Sequence, residues 1–172
     1  MLLLTGPVGV GKSTVAREAS RLLAEANIAH ALVDLPGIGS CWPRPADDPW
    51  NERLIHRNLA CMWANFQRSG AERLLLCRVL EARSLLRHIR QAVPGADISV
   101  VGLRAPLPIL HARIAAREAG RDASQIDWYR NAAAVLVDRL ENALVEDHCI
   151  DNVDRPVDEV AAEALRLVGW LP

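Results

Sequence analysis

Lysine is nearly absent from this sequence: of twenty basic residues nineteen are arginine, and Lys12 is the only lysine. A chain that otherwise uses arginine has kept lysine at one place, which directs attention to its surroundings. Excess charge of one sign is also lacking. The formal net charge is −1, so no bulk attraction to nucleic acid or to an anionic membrane is expected. Aromatic residues make up only 4%, so the core must be built from aliphatic side chains. Apolar runs such as Leu74-Leu75-Leu76-Cys77 are strand-sized, far below the roughly 20 residues that span a bilayer. The run Leu2 to Leu4 leads straight into glycines and a lysine, without the basic start and long apolar core of an export signal, so a cytoplasmic protein is expected. Cys41, Cys61, Cys77 and Cys149 form no C-x-x-C pair and no zinc-ligand spacing with the five histidines. They read as reduced thiols, two of them in strands.

What is present is a globular balance. Hydrophobic residues make up 51% and charged residues 24% of 172, a length that suits one domain burying roughly 70% of its unfolded surface. Leu2 to Thr5 reads as a buried strand, followed by glycines and then by Val15, Ala19, Leu22, Leu23 and Ala26 at helical spacing. A second strand, Ile28 to Val33, is closed by Asp34. Leu35 to Pro49 is a Pro-, Gly- and Asp-rich loop, and Asp48 before Pro49 signals a helix from about Trp50 to Arg68. Strands at Arg73 to Val79, Ile98 to Leu103 and His148 to Ile150 alternate with helices at Glu81 to Gln91, Leu107 to Glu118 and from Ser124, where Ser124-Gln125-Ile126-Asp127 fits a capping box. A last helix carries the stripe Val157, Val160, Ala161, Ala164, Leu165 and Val168. Parallel strands need helical crossovers, so the expected architecture is α/β: three layers, a five-stranded parallel sheet covered on both faces, with ligands at the carboxyl ends of the strands.

The most specific signal is Gly6-Pro7-Val8-Gly9-Val10-Gly11-Lys12-Ser13, which fits G-x-x-x-x-G-K-[ST] and lies between the first strand and first helix. Its glycines let backbone N–H groups turn onto phosphate oxygens, and the helix N-terminus adds partial positive charge. Lys12 is placed to reach the β and γ phosphates, Ser13 to ligate Mg2+, and Thr14 to line the same turn. The rival reading is a plain glycine loop.

Within the P-loop class, no Asn-Lys-x-Asp guanine motif is possible with one lysine, and no signature loop of a transporter ATPase is present. The size, the arginine-bearing segment after the fourth strand, and Asp151-Asn152-Val153-Asp154-Arg155-Pro156 after the fifth resemble P-loop small-molecule kinases, such as the chloramphenicol phosphotransferase-like, gluconate and shikimate kinases and the tunicamycin-resistance ATP-binding proteins. The resemblance implies a P-loop NTPase fold over residues 1–172 with an acceptor-side segment at about 35–70 and a helical lid at about 111–128. It implies ATP and Mg2+ as cofactors, ATP preferred over GTP, a small-molecule acceptor as partner, and a monomer or homodimer. It also implies roles: Asp34 acting on an acceptor hydroxyl or holding Mg2+ with Ser13, Arg113 and Arg117 closing over adenine and phosphates, and Arg155 beside the adenine.

Each assignment has a rival. Asp34 is equally a turn residue, and Arg113, Arg117 and Arg121 equally a solvated helix face. The third strand carries no acid before Glu81, where many P-loop enzymes organise magnesium, so either Asp34 takes that role or catalysis is weak. Arg78 meets an anionic substrate group or is a surface arginine. Trp42 and Trp50 wall an acceptor or pack their loop; His56, Arg57, Asp47 and Asp48 are weaker candidates. A nucleoside or nucleotide kinase, or a nucleotide-binding resistance or sensor protein with little turnover, are the alternative functions.

Overall fold

The computed structural model describes residues 1–172. Five strands, β1 (Leu2–Thr5), β2 (His30–Asp34), β3 (Arg73–Cys77), β4 (Ser99–Arg104) and β5 (His148–Asp151), form one parallel sheet in the order β2-β3-β1-β4-β5. Six helices cover it: α1 (Lys12–Glu25), α2 (Glu52–Arg68), α3 (Leu86–Ala92), α4 (Leu107–Arg117), α5 (Ala123–Ala143) and α6 (Val157–Leu167). The expected α/β class and five-stranded parallel sheet are therefore present.

The period-2 alternation of buried strands produces two cores. Leu2, Leu4, Leu75, Cys77, Val101, Leu103 and Ile150 face α1, α4 and α6, whereas Leu3, Ala31, Val33, Leu74, Leu76 and Val100 face α2 and α3. The connection after β1 thus leaves for one face and that after its neighbour β3 for the other. Strands that part in this way open a crevice at their carboxyl ends. Helix α5 spans both cores, with Ala133 in the first and Ala143 against the second.

Three local expectations are corrected. Helix α2 begins at Glu52, not Trp50, because Asp48 acts from inside: its carboxylate accepts from the amides of Glu52 (2.8 Å) and Arg53 (3.0 Å). Asp48 is 8% exposed, so it is a cap and not a free base. Helix α5 is capped by Asp122, which accepts from Ser124 N at 2.7 Å, two residues before the expected box. Residues 81–85 are extended or a 3-10 turn, so α3 starts at Leu86. We expect Asp48→Ala to cost about 2 kcal/mol, since it orphans two helix N–H groups. A urea midpoint unchanged from the parent would contradict that role.

Candidate active site

The phosphate-loop motif occupies the turn from β1 into α1. Gly6 has φ +140°, and a Cβ there would stand 2.5 Å from the Leu103 carbonyl oxygen; Gly9 has φ +86°, and a Cβ there would stand 3.0 Å from Leu110 O and Ile114 Cγ1 of α4. Glycine at these positions lets the loop coil tightly against β4 and α4. Its own hydrogen bonds are few: Val10 N donates to Pro7 O, and Thr14 N and Val15 N to Gly11 O. The amides of Val8, Gly9, Gly11, Lys12 and Ser13 donate to no protein acceptor. Five unpaired N–H groups in a glycine turn that leads into a helix N-terminus suit an anion with several oxygens.

The Lys12 ammonium crosses the loop, donating to Gly6 O at 2.8 Å and Pro7 O at 3.0 Å. Burial pushes it down to about 8 from 10.5, with the Asp34 carboxylate opposing that shift and Arg117 adding to it. A part-buried cation whose hydrogen bonds go to neutral carbonyls fits an anionic ligand that would supply further negative charge. Ser13 Oγ donates to Asp34 Oδ2 at 2.7 Å. Asp34 comes within reach because strand alternation turns it and Cys77, paired in register on β2 and β3, toward α1. A hydroxyl and a carboxylate side by side at the start of α1 are hard-oxygen donors of the kind suited to Mg2+. At the end of β3, Cys77 stands where an acid was missing from the sequence. Burial and the Asp34 carboxylate push its thiol up to about 12, so it stays neutral, and Asp34 is the carboxylate available to Ser13.

The arginines divide. Arg113 donates to Asn152 O (2.9 Å) and Val10 O (3.5 Å), tying α4 to the loop and to the segment after β5. Arg117 lies over the Tyr129 ring, 5.2 Å from its centroid, and pairs with Glu118 at 2.6 Å; its charge also bears on Lys12. Arg121 joins the same Glu118 at 2.9 Å. Arg155 pairs with Glu163 on α6 at 2.6 Å, which anchors the β5–α6 connection. Arg78, 13% exposed, makes a bidentate pair with Glu52 of α2 at 3.0 and 3.3 Å, and so is not a bare surface arginine.

Other candidates lie apart from the loop. Trp42 is 84% and Trp50 70% exposed, so neither ring packs its loop onto the helix beneath. His56 and Arg57 line a groove of about 580 Å3 between α2 and α3 that contains no phosphate-loop residue. Asp47 pairs with Arg53, and Glu81 with Arg139 of α5. Sequence reading missed two residues. Buried Asn152 donates its side-chain amide to Val10 O at 2.7 Å, and Glu118, 4% exposed, holds both Arg117 and Arg121. Their positions, directly after a strand and between two arginines, were the available signals.

Solved structures share this fold over nearly the whole chain. The tunicamycin resistance protein of Deinococcus radiodurans superposes with TM-score 0.69 at 18% identity, over 99% of this chain and 95% of that one. The fold is that of the P-loop small-molecule kinases. A gluconokinase from Sinorhizobium meliloti 1021 (TM-score 0.58, 19% identity, 96% of this chain and 89% of that one) shares it. So does an Acinetobacter baumannii shikimate kinase in complex with shikimate (0.60, 19%, 97% and 91%). No protein-family model and no curated protein sequence matches the chain. No helix is long and apolar enough to cross a membrane.

Proposed function

We propose that this chain is an ATP- and magnesium-dependent phosphotransferase that phosphorylates a hydroxyl of a small molecule. The observation that carries the proposal is the loop itself: five amides without a protein acceptor and a part-buried ammonium lie in the turn where the sequence motif requires a triphosphate. In transfer of the γ-phosphoryl group the acceptor oxygen forms a bond to phosphorus as the bond to the leaving diphosphate oxygen breaks, the hydroxyl proton passes to the Asp34 carboxylate, and charge spreads over the equatorial oxygens. Lys12 and the loop amides stabilise that charge in a fixed geometry. Arg117, held by Tyr129 and Glu118, adds a guanidinium from the end of α4, in the segment that serves as lid. Ser13 and Asp34 would hold Mg2+, which when bound would neutralise phosphate charge. Arg113 and Asn152 brace the loop on the side where the segment Asp151–Arg155 receives the adenine.

Release of ADP from Mg-ATP only when a hydroxylated acceptor is added tests the reading; tight ATP binding with no release across a broad acceptor panel would sink it. One observation favours a second reading, a nucleotide-binding resistance or sensor protein with little turnover: the end of β3 bears the neutral Cys77 in place of a carboxylate.

The state of Lys12 also gives a pH test. Free, the ammonium loses its proton near 8; phosphate oxygens stabilise the charged form and raise that value in the complex. ATP affinity should therefore be flat below about pH 8 and fall above it, by up to roughly tenfold per pH unit, with proton uptake on binding. Calorimetry in buffers of different ionisation enthalpy reads both. Constant affinity up to pH 9.5 would contradict a lysine–phosphate contact.

A further inference from the structure

The turn from α4 to α5 carries a buried carboxylate where the helix gives it no support. Glu118 is the residue that ends α4 and is 4% exposed, so its charge lies at the negative end of the helix dipole and out of water. Two arginines compensate it. Arg117 donates its Nε–H to Oε1 at 2.6 Å, and Arg121 Nε stands 2.9 Å from Oε2 as an ion pair, although no donor is directed at that buried oxygen. Both guanidiniums meet the carboxylate through Nε, and their terminal nitrogens donate to nothing within the protein. Both side chains are more than half exposed. Glu118 thus holds two guanidinium forks side by side with their outer N–H groups free, a set of net charge +1 whose planar donors match phosphate oxygens. The set lies on the side of α4 that meets the phosphate loop. Arg113, one turn earlier on the same helix face, reaches Val10 O at 3.5 Å, and the Arg117 charge bears on Lys12. Arg113 itself is occupied, since its terminal nitrogens go to the carbonyls of Val10 and Asn152.

We propose that Glu118 is a positioning residue for the triphosphate, and that the pair it presents to the phosphates is Arg117 with Arg121, not Arg113 with Arg117. The proposal rests on the phosphotransferase reading for the triphosphate in the loop, and not for its transfer. Closing the turn does not call for a carboxylate, because an uncharged residue would avoid both the helix dipole and the burial. What the carboxylate supplies is a fixed spacing for two cations that otherwise repel each other. Phosphate oxygens bring the negative charge that this set and Lys12 lack, and Oε2 is left for Arg121 to complete when the turn closes on them.

Calorimetric titration of the full chain with Mg-ATP, beside ligand-observed NMR with AMP, separates a role toward the outer phosphates from a structural one. Arg121→Met should weaken Mg-ATP binding by about tenfold, a typical worth of one charged hydrogen bond, and leave AMP affinity within about twofold. Glu118→Gln, which keeps size and shape, should weaken Mg-ATP by a similar factor and again spare AMP. Added to Arg117→Met and Arg121→Met together, Glu118→Gln should bring no further loss, because a residue that acts through others is silent once they are gone. Parental Mg-ATP affinity in Arg121→Met overturns the proposal. So does a loss in Glu118→Gln that is equal for AMP, or as large when both arginines are already absent. Should Glu118→Gln fail to fold, Arg121→Met decides alone. ADP release separates the two claims. Arginine-dependent Mg-ATP binding without release on any hydroxylated acceptor upholds the pair and overturns the phosphotransferase reading; release that Arg121→Met leaves at the parental rate and affinity does the reverse.

Discussion

Lys12→Ala is expected to weaken ATP binding or turnover by at least about 100-fold, the usual loss when one preorganised donor to a developing phosphate charge is removed. The same substitution should not destabilise the fold. In the folded chain the Lys12 charge is held below its ordinary value by burial, from 10.5 to about 8, so at neutral pH the charged lysine opposes folding by about 3 kcal/mol. The sign follows from linkage: the penalty is full below 8 and disappears as pH rises toward 10.5. Its two hydrogen bonds go to carbonyls of the loop, and those oxygens can turn to water once the side chain is gone. Calorimetry of ATP binding beside thermal unfolding checks both halves. A folded mutant with parental ATP affinity would refute the phosphate-loop assignment, and a mutant that unfolds would show that Lys12 is a packing residue.

Asp34→Asn carries the second large effect. Asp34 is the carboxylate 2.7 Å from the Ser13 hydroxyl, and the only titratable neighbour at the end of β3, Cys77, stays protonated. Removing its charge should lower the turnover rate by roughly 10²–10⁴ and weaken the magnesium dependence, while ATP binding measured without metal changes only a few-fold. An Asn with parental turnover would return the residue to a strand-end role. Asp47, Asp48 and Glu81 are poor substitutes as a base, since each is engaged: Asp47 and Asp48 at the start of α2, and Glu81 with Arg139.

The phosphate loop was legible in the sequence because its chemistry depends on backbone geometry that glycine alone permits, and because a single lysine in an arginine-rich chain is conspicuous. The sheet was legible from strand-sized apolar runs. What escaped depends on contacts between residues far apart in the chain. Asp48 could be read as a helix signal, but not that its carboxylate would reach Glu52 and Arg53, which are placed by the turn at Asn51 (φ 54°). The tryptophans of the 41–51 loop carried an acceptor-wall signal by type, yet exposure depends on how the loop leaves the helix. Asn152 looked like a turn residue until folding brought it 2.7 Å from Val10 O, 142 positions away. Nor did the chain order reveal that Asp151, too, ends a strand separated from β1 by one other, on the opposite side from Asp34.

The account stands on one claim, that the turn from Gly6 to Ser13 grips a nucleoside triphosphate through its backbone. Amide NMR of the labelled chain titrated with Mg-ATP addresses it most directly. The amide protons of Val8, Gly9, Gly11, Lys12 and Ser13, which donate to nothing within the protein, should shift downfield together as they bond to phosphate oxygens, with those of Val10 and Thr14 moving less because they are already paired. Saturable binding that leaves these five resonances in place and moves the α2–α3 groove around His56 and His88 instead would contradict it.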